Sequence, residues 1–304
     1  MSPLVHAVPR PQWDRSVVVV GPPSPEPGAW AGAPSALLVD GVYYLAYRLR
    51  RPIDEGRGLV NVVARSADGV DFQQIATVNR DSFDAESLER PALTVTPEGR
   101  WRLYVSCATP GTKHWRVALL EADEPEALPE ATARTVLPGD ATVGVKDPVL
   151  IRDGDLWHLW ASVHPLETDE HADRMSTWYA TSPDGVDWTW QGSMLNPRPG
   201  QWDARGTRLT SVLPLPDGLL ASYDGRASAA ENWEERTGTA RGDRTADGLF
   251  GPLTADEAPP TCSPYAPGGL RYLSLLAVPG GGYRLYFEGT RADGAHELRT
   301  ELVE

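Results

Sequence analysis

Residues 40–47 read Asp-Gly-Val-Tyr-Tyr-Leu-Ala-Tyr, a turn followed by a strand of apolar and aromatic side chains, and this pattern decides the fold. The pattern recurs four more times, and its glycines are separated by 58, 55, 64 and 63 residues. These glycines are Gly41, Gly99, Gly154, Gly218 and Gly281. Asp-Gly between apolar runs signals a tight hairpin, because both turn positions favour positive φ. Each copy therefore predicts that a repeat opens with two antiparallel strands.

A second turn pattern lies at a nearly constant distance inside the repeats. Residues 66–72 read Ser-Ala-Asp-Gly-Val-Asp-Phe, residues 182–188 read Ser-Pro-Asp-Gly-Val-Asp-Trp, and residues 245–250 are a weaker copy. Their glycines follow the first glycine of the same repeat by 28, 31 and 30 residues, which suits a hairpin between a third and a fourth strand. Self-similarity of this kind is the signature of a repeat architecture.

Five repeats of four strands predict an all-β fold, a five-bladed β-propeller with four-stranded antiparallel blades. We expect residues 1–304 to form one domain, with residues 1–28 as an extended N-terminal strap. A β-sandwich or a two-domain chain is the alternative. A sandwich, however, gives no reason for two turn patterns in fixed relative phase.

The composition excludes several classes of partner. The chain has a formal charge of −14, and an acidic surface repels both nucleic-acid phosphates and anionic lipid. No apolar stretch approaches the roughly 20 residues that cross a bilayer, and residues 1–15 lack the apolar core of a secretory signal. We therefore expect a cytoplasmic protein, in which Cys107 and Cys262 are more simply two buried thiols than a disulfide. The oligomeric state is left open.

A local match accompanies the repeats, because residues 145–151 read Val-Lys-Asp-Pro-Val-Leu-Ile. Together these features resemble the five-bladed propeller glycosidases of glycoside hydrolase family 43 and the related families 32, 62, 117 and 130. The resemblance covers nearly the whole chain and implies that Asp147 is a helper carboxylate, which tunes the acid or steadies the transition state. It also departs from the family pattern. Ala33 stands at the place of the general-base Asp, and Thr207 or Arg208 stands at the place of the general-acid Glu.

The first strand of every blade lines the axis of a propeller, so the residues that start these strands predict the site. The acidic candidates among them are Glu89 and Asp147, which adjacent blades could hold at the roughly 6.5–9.5 Å that inverting glycoside hydrolysis needs. The cationic candidates for substrate binding are Arg90, Lys146, Arg208 and Arg271. Guanidinium groups match phosphate and carboxylate geometry, so an anion clamp is one use for them.

The fourth repeat supplies further candidates between its second and third strands. Asp224 and Glu235 are alternative acids or bases, and Trp233 is a platform for the C–H face of a pyranose. The remaining substrate-binding candidates are Trp30, Trp202 and Glu288.

No cofactor or metal is expected. The stretch from His164 to His171 holds two histidines and three acids, but it fits no standard zinc spacing and is interpreted as a solvated loop. The expected partner is a small-molecule carbohydrate or glycoside. Our hypothesis is a carbohydrate-active enzyme that acts on a glycosidic bond with a non-standard acid/base set. The alternatives are a non-catalytic sugar-binding propeller, or a phosphorylase or tailoring enzyme that uses the cationic clamp.

Overall fold

The computed structural model describes residues 7–168 and 170–304, so residues 1–6 of the predicted strap lie outside the described residues. Within the described ranges, the regular structure consists of β-strands and five short 3-10 helices. The helices are Trp13–Arg15, Ile53–Glu55, Arg80–Phe83, Pro125–Glu130 and Ala229–Glu231. None of the described helices is long and apolar enough to cross a membrane.

The strands follow each other along the chain in groups of four. The first ten are β1 (Val17–Val20), β2 (Trp30–Val39), β3 (Val42–Arg50), β4 (Gly58–Ser66), β5 (Gln73–Asn79), β6 (Leu88–Val95), β7 (Trp101–Ala108), β8 (Trp115–Ala122), β9 (Arg134–Leu137) and β10 (Val143–Asp153). The others are β11 (Leu156–Pro165), β12 (Ser176–Ser182), β13 (Thr189–Leu195), β14 (Gly206–Pro214), β15 (Gly218–Arg226), β16 (Arg236–Asp243), β17 (Thr254–Ala255), β18 (Leu270–Ala277), β19 (Tyr283–Thr290) and β20 (His296–Val303).

Three sheets are four-stranded and antiparallel, in the orders β6-β7-β8-β9, β10-β11-β12-β13 and β14-β15-β16-β17. The fourth sheet runs β18-β19-β20-β2-β3-β4-β5, with β1 paired to β20. Its two halves are joined by one parallel pair, Trp30 with His296. The predicted all-β fold with four-stranded antiparallel sheets is confirmed. We interpret the large sheet as two further blades, blade one (β2–β5) and blade five (β18–β20 with β1), so that blades two, three and four are the separate sheets.

Five hydroxyl groups join these units around the axis. In each case a serine or threonine Oγ accepts the backbone N–H of a residue in the next blade, at 2.8–3.1 Å. The pairs are Ser35 with Leu93, Ser106 with Asp147, Thr177 with Leu209, Ser211 with Leu275, and Ser274 with Ala36. The last pair connects blade five to blade one, so the bonds form a closed cycle.

The predicted hairpins are present, with one exception in backbone conformation. Asp40 and Gly41 have φ of 50° and 79°, the left-handed values that a two-residue turn between β2 and β3 requires. Gly218 departs from the prediction, because it lies at the start of β15 without a positive φ. A Cβ at Gly218 would lie 2.3 Å from the carbonyl oxygen of Gly242, so this glycine permits a close approach of β16 instead.

The second turn pattern is held by its own serine and aspartate. In the turn after β4, the Oγ of Ser66 accepts the N–H of Gly69 at 2.9 Å, and the Oδ1 of Asp68 accepts the next two N–H groups at 2.8 and 2.9 Å. The turn after β12 repeats these bonds with Ser182 and Asp184. These turns connect third and fourth strands, as the spacing predicts.

Each of these two turns is also bound by a buried tyrosine of a neighbouring blade. The hydroxyl of Tyr104 in β7 donates to the carbonyl of Gly185 at 2.6 Å, and that of Tyr286 in β19 donates to Gly69 at 2.9 Å. The turn pattern therefore ties blade two to blade three and blade five to blade one.

The first strands carry bulges where they pass along the axis. The pairing register shifts in all five of them, near residues 32–35, 88–91, 146–149, 209–211 and 271–274. Three non-glycine residues at these bulges, Ala33, Asp147 and Tyr272, have left-handed φ of 53°, 57° and 55°. Bulges re-aim side chains, and strain of this kind is often kept at functional sites.

The apolar core lies between neighbouring blades. One buried cluster joins blades one and two, and another joins blades three and four around Trp160 and Tyr223, both fully buried. Cys107 lies in the first cluster, while Cys262 is exposed, and both are free thiols. The expectation that both thiols are buried was therefore wrong for Cys262.

Replacing Tyr104 with phenylalanine should lower the free energy of unfolding by about 1–2 kcal/mol, because the buried carbonyl of Gly185 loses its donor. Urea unfolding measures the difference. Tyr265→Phe is the control, since Tyr265 is 43% exposed and its hydroxyl makes no hydrogen bond within the described ranges. Equal unfolding free energies for wild type and Tyr104→Phe would contradict the tether between blades.

Candidate functional site

One end of the axis opens into a cavity of about 200 Å³, to which all five blades contribute residues. Its lining residues from first strands include Trp30, Glu89, Lys146, Arg208, Arg271 and Tyr272. Its lining residues from other strands and loops include Arg48, Arg50, Arg57, Lys113, Trp115, His164, Asp173, Arg226, Trp233 and Glu235. The structure therefore brings seven sequence-predicted residues together in one cavity. These seven are Glu89, Glu235, Lys146, Arg208, Arg271, Trp30 and Trp233.

Glu89 is the cavity carboxylate of blade two. It is paired with Arg48, and its Oε1 accepts a hydrogen bond from Arg50 Nη1 at 3.1 Å. Burial by itself raises the pKa of Glu89, but Arg48 and Arg50 outweigh that effect and lower the pKa to about 2. Glu89 is therefore ionised at any physiological pH.

Glu235 is the cavity carboxylate of blade four and lies just before β16. Arg226 and Arg271 each donate to one of its oxygens at 2.6 Å, and Arg208 lies 3.6 Å away. Burial opposes the charge, yet the three guanidinium groups lower the pKa of Glu235 well below its usual value. Glu89 and Glu235 are thus both held in the ionised state.

Asp147 lies directly behind the cavity lining and is fully buried. Its Oδ2 is 3.4 Å from Arg208 Nη1, 3.7 Å from Lys146 Nζ and 3.5 Å from the hydroxyl of Tyr272. Its Oδ1 has no hydrogen-bond partner in the part of the chain that the structure describes. Asp147 therefore contacts lining residues of the cavity without lining it itself.

Asp224 and Glu288 are also fully buried behind the lining. Asp224 accepts hydrogen bonds from Arg208 at 2.7 Å and from the N–H of Tyr272 at 2.9 Å. Burial raises the pKa of Asp224 despite Arg208. Glu288 pairs with Arg271 at 2.7 Å and with Arg48 at 2.9 Å, and these cations lower its pKa although burial opposes the charge. Neither carboxylate lines the cavity.

Arg90 does not lie at the predicted mouth. Its side chain crosses toward a second cavity of about 190 Å³, which is lined by later residues of the first strands, such as Ser35, Ser211 and Ser274. Its Nη2 donates to the carbonyl of Thr210 at 2.6 Å. Because the first strands run along the axis, this cavity is at the other end, and Arg90 is out of reach of a ligand at the mouth.

Of the three tryptophan candidates, two lie at the cavity and one does not. Trp30 is buried in the cavity wall, stacked on His296 at 4.8 Å between ring centroids and covered by Arg50 at 4.0 Å. Trp233 stands at the rim, 39% exposed. Trp202 instead stacks on Tyr223 at 5.4 Å in the core, so its predicted place at the mouth was wrong.

Several cavity residues escaped the sequence argument. Arg48 and Arg50 are two residues apart in β3, so their side chains lie on the same face of the strand. Two charged residues at the end of an apolar run are the sequence signal that indicates them. His164 was assigned to a solvated loop, but it is buried at the end of β11 and lines the cavity. Burial, together with Lys146 nearby, lowers the pKa of His164 well below its usual value, so it is neutral.

No family model and no curated protein matches the sequence. Solved structures do match. An α-L-arabinofuranosidase from Lactobacillus brevis aligns with a TM-score of 0.67 at 15% identity, over 90% of this chain and 90% of that chain. A GH43_1 enzyme from Xanthomonas citri, complexed with xylose, aligns with a TM-score of 0.67 at 15% identity, over 94% and 91%. The chain has a family 43-like propeller fold.

A third match extends this likeness to a further glycosidase family. The GH130 family of mannoside phosphorylases, which contains glycoside hydrolases that target β-1,2 mannosidic linkages in Candida mannan, is represented by a structure with a TM-score of 0.62. The identity is 16%, over 98% of this chain and 92% of that chain. At such identities the likeness establishes the fold, and the chemistry depends on the side chains that this propeller itself carries.

In this family 43-like propeller, the carboxylate of Glu288 lies against the backbone of Ala33, where the resemblance places the general base. The N–H of Ala33 donates to Glu288 Oε2 at 3.0 Å, and a Cβ at Gly32 would lie 2.0 Å from the same oxygen. Glu288, which reaches across from blade five, therefore fills the space beside Gly32. At the place of the general acid, Thr207 donates to the carbonyl of Leu195 at 2.9 Å, and the next side chain is the guanidinium of Arg208.

Glu89→Gln tests the charge network through its pH dependence. The ordinary carboxyl pKa of about 4.5 falls to about 2 in the folded protein, so ionised Glu89 contributes stability above about pH 4.5 that is lost as the pH falls toward 2. At neutral pH the variant should be less stable by about 3–5 kcal/mol, because Arg48 and Arg50 lose their buried partner. This deficit should shrink as the pH falls from about 4.5 to about 2.

Urea unfolding over a pH series measures both effects. Glu126→Gln is the matched control, because Glu126 forms an exposed pair with Arg65 at 3.4 Å and should follow the wild-type curve. A constant difference between wild type and Glu89→Gln across that pH window would contradict the assignment.

Proposed function

We propose that residues 1–304 form a single five-bladed propeller that binds a saccharide in the axial cavity. It recognises the sugar but does not hydrolyse it by the two-carboxylate mechanism of glycosidases. The observation that carries this proposal is an exposed tryptophan, Trp233, at the rim of a cavity whose carboxylates Glu89 and Glu235 are ionised. The likeness to family 43 propellers, one of them complexed with xylose, supports a carbohydrate as the ligand.

Both the backbone conformation of Trp233 and the position of its ring support a role in binding. It has a left-handed φ of 76°, a conformation that is rare and costly for a bulky residue. Its ring is 5.9 Å from that of Trp30 and 5.2 Å from the guanidinium of Arg50. Strain that the surrounding structure maintains at a cavity rim is typical of a ligand-contacting residue, and an indole face suits the C–H face of a sugar ring.

The protonation states argue against ordinary glycoside hydrolysis. That reaction needs one protonated carboxyl as the acid and one ionised carboxylate as base or nucleophile. The three carboxylates that line the cavity all have lowered pKa values: Glu89, Glu235 and Asp173. Asp224 is the carboxyl of this cluster whose pKa is raised, but it is fully buried behind Arg208. The cavity therefore offers fixed acceptors and donors for sugar hydroxyls and lacks a carboxylic acid to protonate a leaving group.

Trp233→Ala should weaken saccharide binding by about tenfold, because it removes the platform, and leave the thermal unfolding midpoint nearly unchanged, because Trp233 is 39% exposed. Calorimetric titration with xylose, xylotriose, arabinose and mannose, supported by a glycan array, measures the affinity. Trp190→Ala is the matched control, since Trp190 is also 39% exposed but lies on an outer strand away from the cavity. Failure of the wild type to bind any saccharide on the array would reject the proposal.

Cleavage of a glycosidic bond in the same cavity is the second candidate, and Lys146 favours it. Burial lowers the pKa of its ammonium group, although Asp147 and Glu89 oppose this effect. An ammonium with a lowered pKa donates its proton more readily, so Lys146 could protonate a departing oxygen.

A reducing-sugar assay separates the two candidates. If cleavage occurs, Lys146→Met, Glu89→Gln and Asp147→Asn should each reduce product release by at least about a hundredfold. Release that requires added phosphate would identify a phosphorylase. Binding with no product from any bound oligosaccharide, with or without phosphate, rejects cleavage and retains the binding function.

A further inference from the structure

The two lysines of this chain stand apart from its other cations. The chain has 28 lysines and arginines together, of which only Lys113 and Lys146 are lysines, and both line the axial cavity. Five arginines of the cavity are each paired with a carboxylate oxygen within 3.1 Å. These are Arg48, Arg50, Arg208, Arg226 and Arg271. The lysines are not neutralised in this way.

The nearest carboxylate oxygen to Lys146 Nζ belongs to Asp147, at 3.7 Å, which also contacts Arg208. Lys113 is exposed and makes no ion pair within residues 7–168 and 170–304. A third cation, Arg57, is paired at 3.4 Å with Glu86, which is itself 42% exposed. Exposed pairs of this kind neutralise charge weakly.

Two of these cations lie near one tryptophan, and the third is close to it in sequence. Lys146 Nζ is 4.7 Å from the centroid of Trp115, and the guanidinium carbon of Arg57 is 5.9 Å from it. Lys113 lies two residues before Trp115 in the same segment of blade two. We call Arg57, Lys113, Trp115 and Lys146 the Trp115 wall. Trp233 belongs to blade four, and its ring lies near Trp30 and Arg50 of blade one, so it is a separate part of the cavity lining.

The cavity has more cationic than anionic side chains, although the protein as a whole is acidic. Eight cationic side chains and three carboxylates line it. Asp147, Asp224 and Glu288 behind the lining bring the carboxylates to six, which leaves a surplus of two positive charges in a chain of net charge −14. His164 adds none, because its pKa is lowered. A concave site with such a surplus attracts anions.

We infer that the saccharide bound here carries an anionic group, a carboxylate, sulfate or phosphate, which the Trp115 wall receives while a sugar ring stacks on Trp233. The inference rests on the proposed saccharide-binding function and names its substrate class. It also moves the anion contact away from Arg208 and Arg271, the arginines suggested by the sequence, because Asp224, Glu235 and Glu288 already neutralise them.

Calorimetric titration of the full chain with matched probes tests this inference. The pairs are D-glucose with D-glucuronate, D-glucose with glucose 6-phosphate, and neutral with sulfated or uronate-bearing oligosaccharides chosen from array hits. Inorganic phosphate and sulfate alone form a further arm, which distinguishes a free anion from an anionic sugar. We expect the charged member of a pair to bind at least about fivefold more tightly at low salt, with the advantage shrinking as NaCl approaches about 0.5 M.

Lys113→Gln and Lys113→Gln/Arg57→Gln should reduce affinity for the charged probe by about threefold and about tenfold, and should reduce affinity for the neutral probe much less. Arg134→Gln is the charge-matched control, since Arg134 is 62% exposed on an outer strand and paired with Asp187 at 3.0 Å. It should bind every probe as the wild type does.

The lysine content gives an independent readout. An amine-acylating reagent can modify only Lys113, Lys146 and the terminal amine, so mass spectrometry resolves each site. The charged probe should protect both lysines, and the neutral probe should protect them less.

The outcomes separate this inference from the proposed function. Equal binding of neutral and charged sugars, or full affinity of Lys113→Gln/Arg57→Gln for the charged probe, overturns the anionic substrate class and leaves saccharide binding intact. Binding of phosphate or sulfate alone with the affinity of the sugar conjugates overturns it in favour of a simple anion. Absence of binding to every saccharide overturns the proposed function itself, and the anionic class with it.

Discussion

The closed cycle of five hydroxyl-to-amide hydrogen bonds is the constraint on which the rest of this structure depends. Each blade offers a serine or threonine Oγ to a backbone N–H of the next first strand, and Ser274 completes the cycle by accepting the N–H of Ala36. The cycle fixes the relative positions of residues that are far apart along the chain. Asp147, for example, donates its own N–H to Ser106 of blade two while its carboxylate contacts Arg208 of blade four.

Within this frame, the axis is filled by charges instead of apolar side chains. Burying a carboxylate or guanidinium is costly unless it is paired and hydrogen-bonded. The buried charges along the axis meet this condition by sharing partners. Glu288 is paired with both Arg48 and Arg271, and Arg271 is also paired with Glu235. Such a network is weak evidence for stability, but removal of one member leaves an expensive unpaired charge. As a result, Glu89 and Glu235 stay ionised, while Lys113 and Lys146 in the same cavity have no carboxylate oxygen within 3.1 Å in the described part of the chain.

The sequence predicted the strand pattern well because hairpin signals are local. Asp40-Gly41 has the backbone that its turn requires, and the Ser66 and Ser182 turns fall between third and fourth strands as their spacing indicates. Gly218 shows the limit of this reasoning, since the same dipeptide there serves close strand packing. The candidate site was only partly predictable. Glu89, Lys146 and Arg271 follow from the repeat phase, whereas Arg90, one residue after Glu89, points to the other end of the axis.

By itself, therefore, the sequence determined that this chain makes four-stranded antiparallel repeats around an axis with charged strand starts. Turn chemistry and side-chain alternation depend on residues that are close together in the chain, so they can be identified from the sequence. Only the tertiary structure decided which charges meet. Arg48 and Arg271 neutralise Glu288, and His164 is buried beside Lys146, because ring closure brings together residues separated by long stretches of chain. In blade two, the bulge places Glu89 in the cavity and turns Arg90 toward the other end of the axis, and that selection depends on the register with the neighbouring strand.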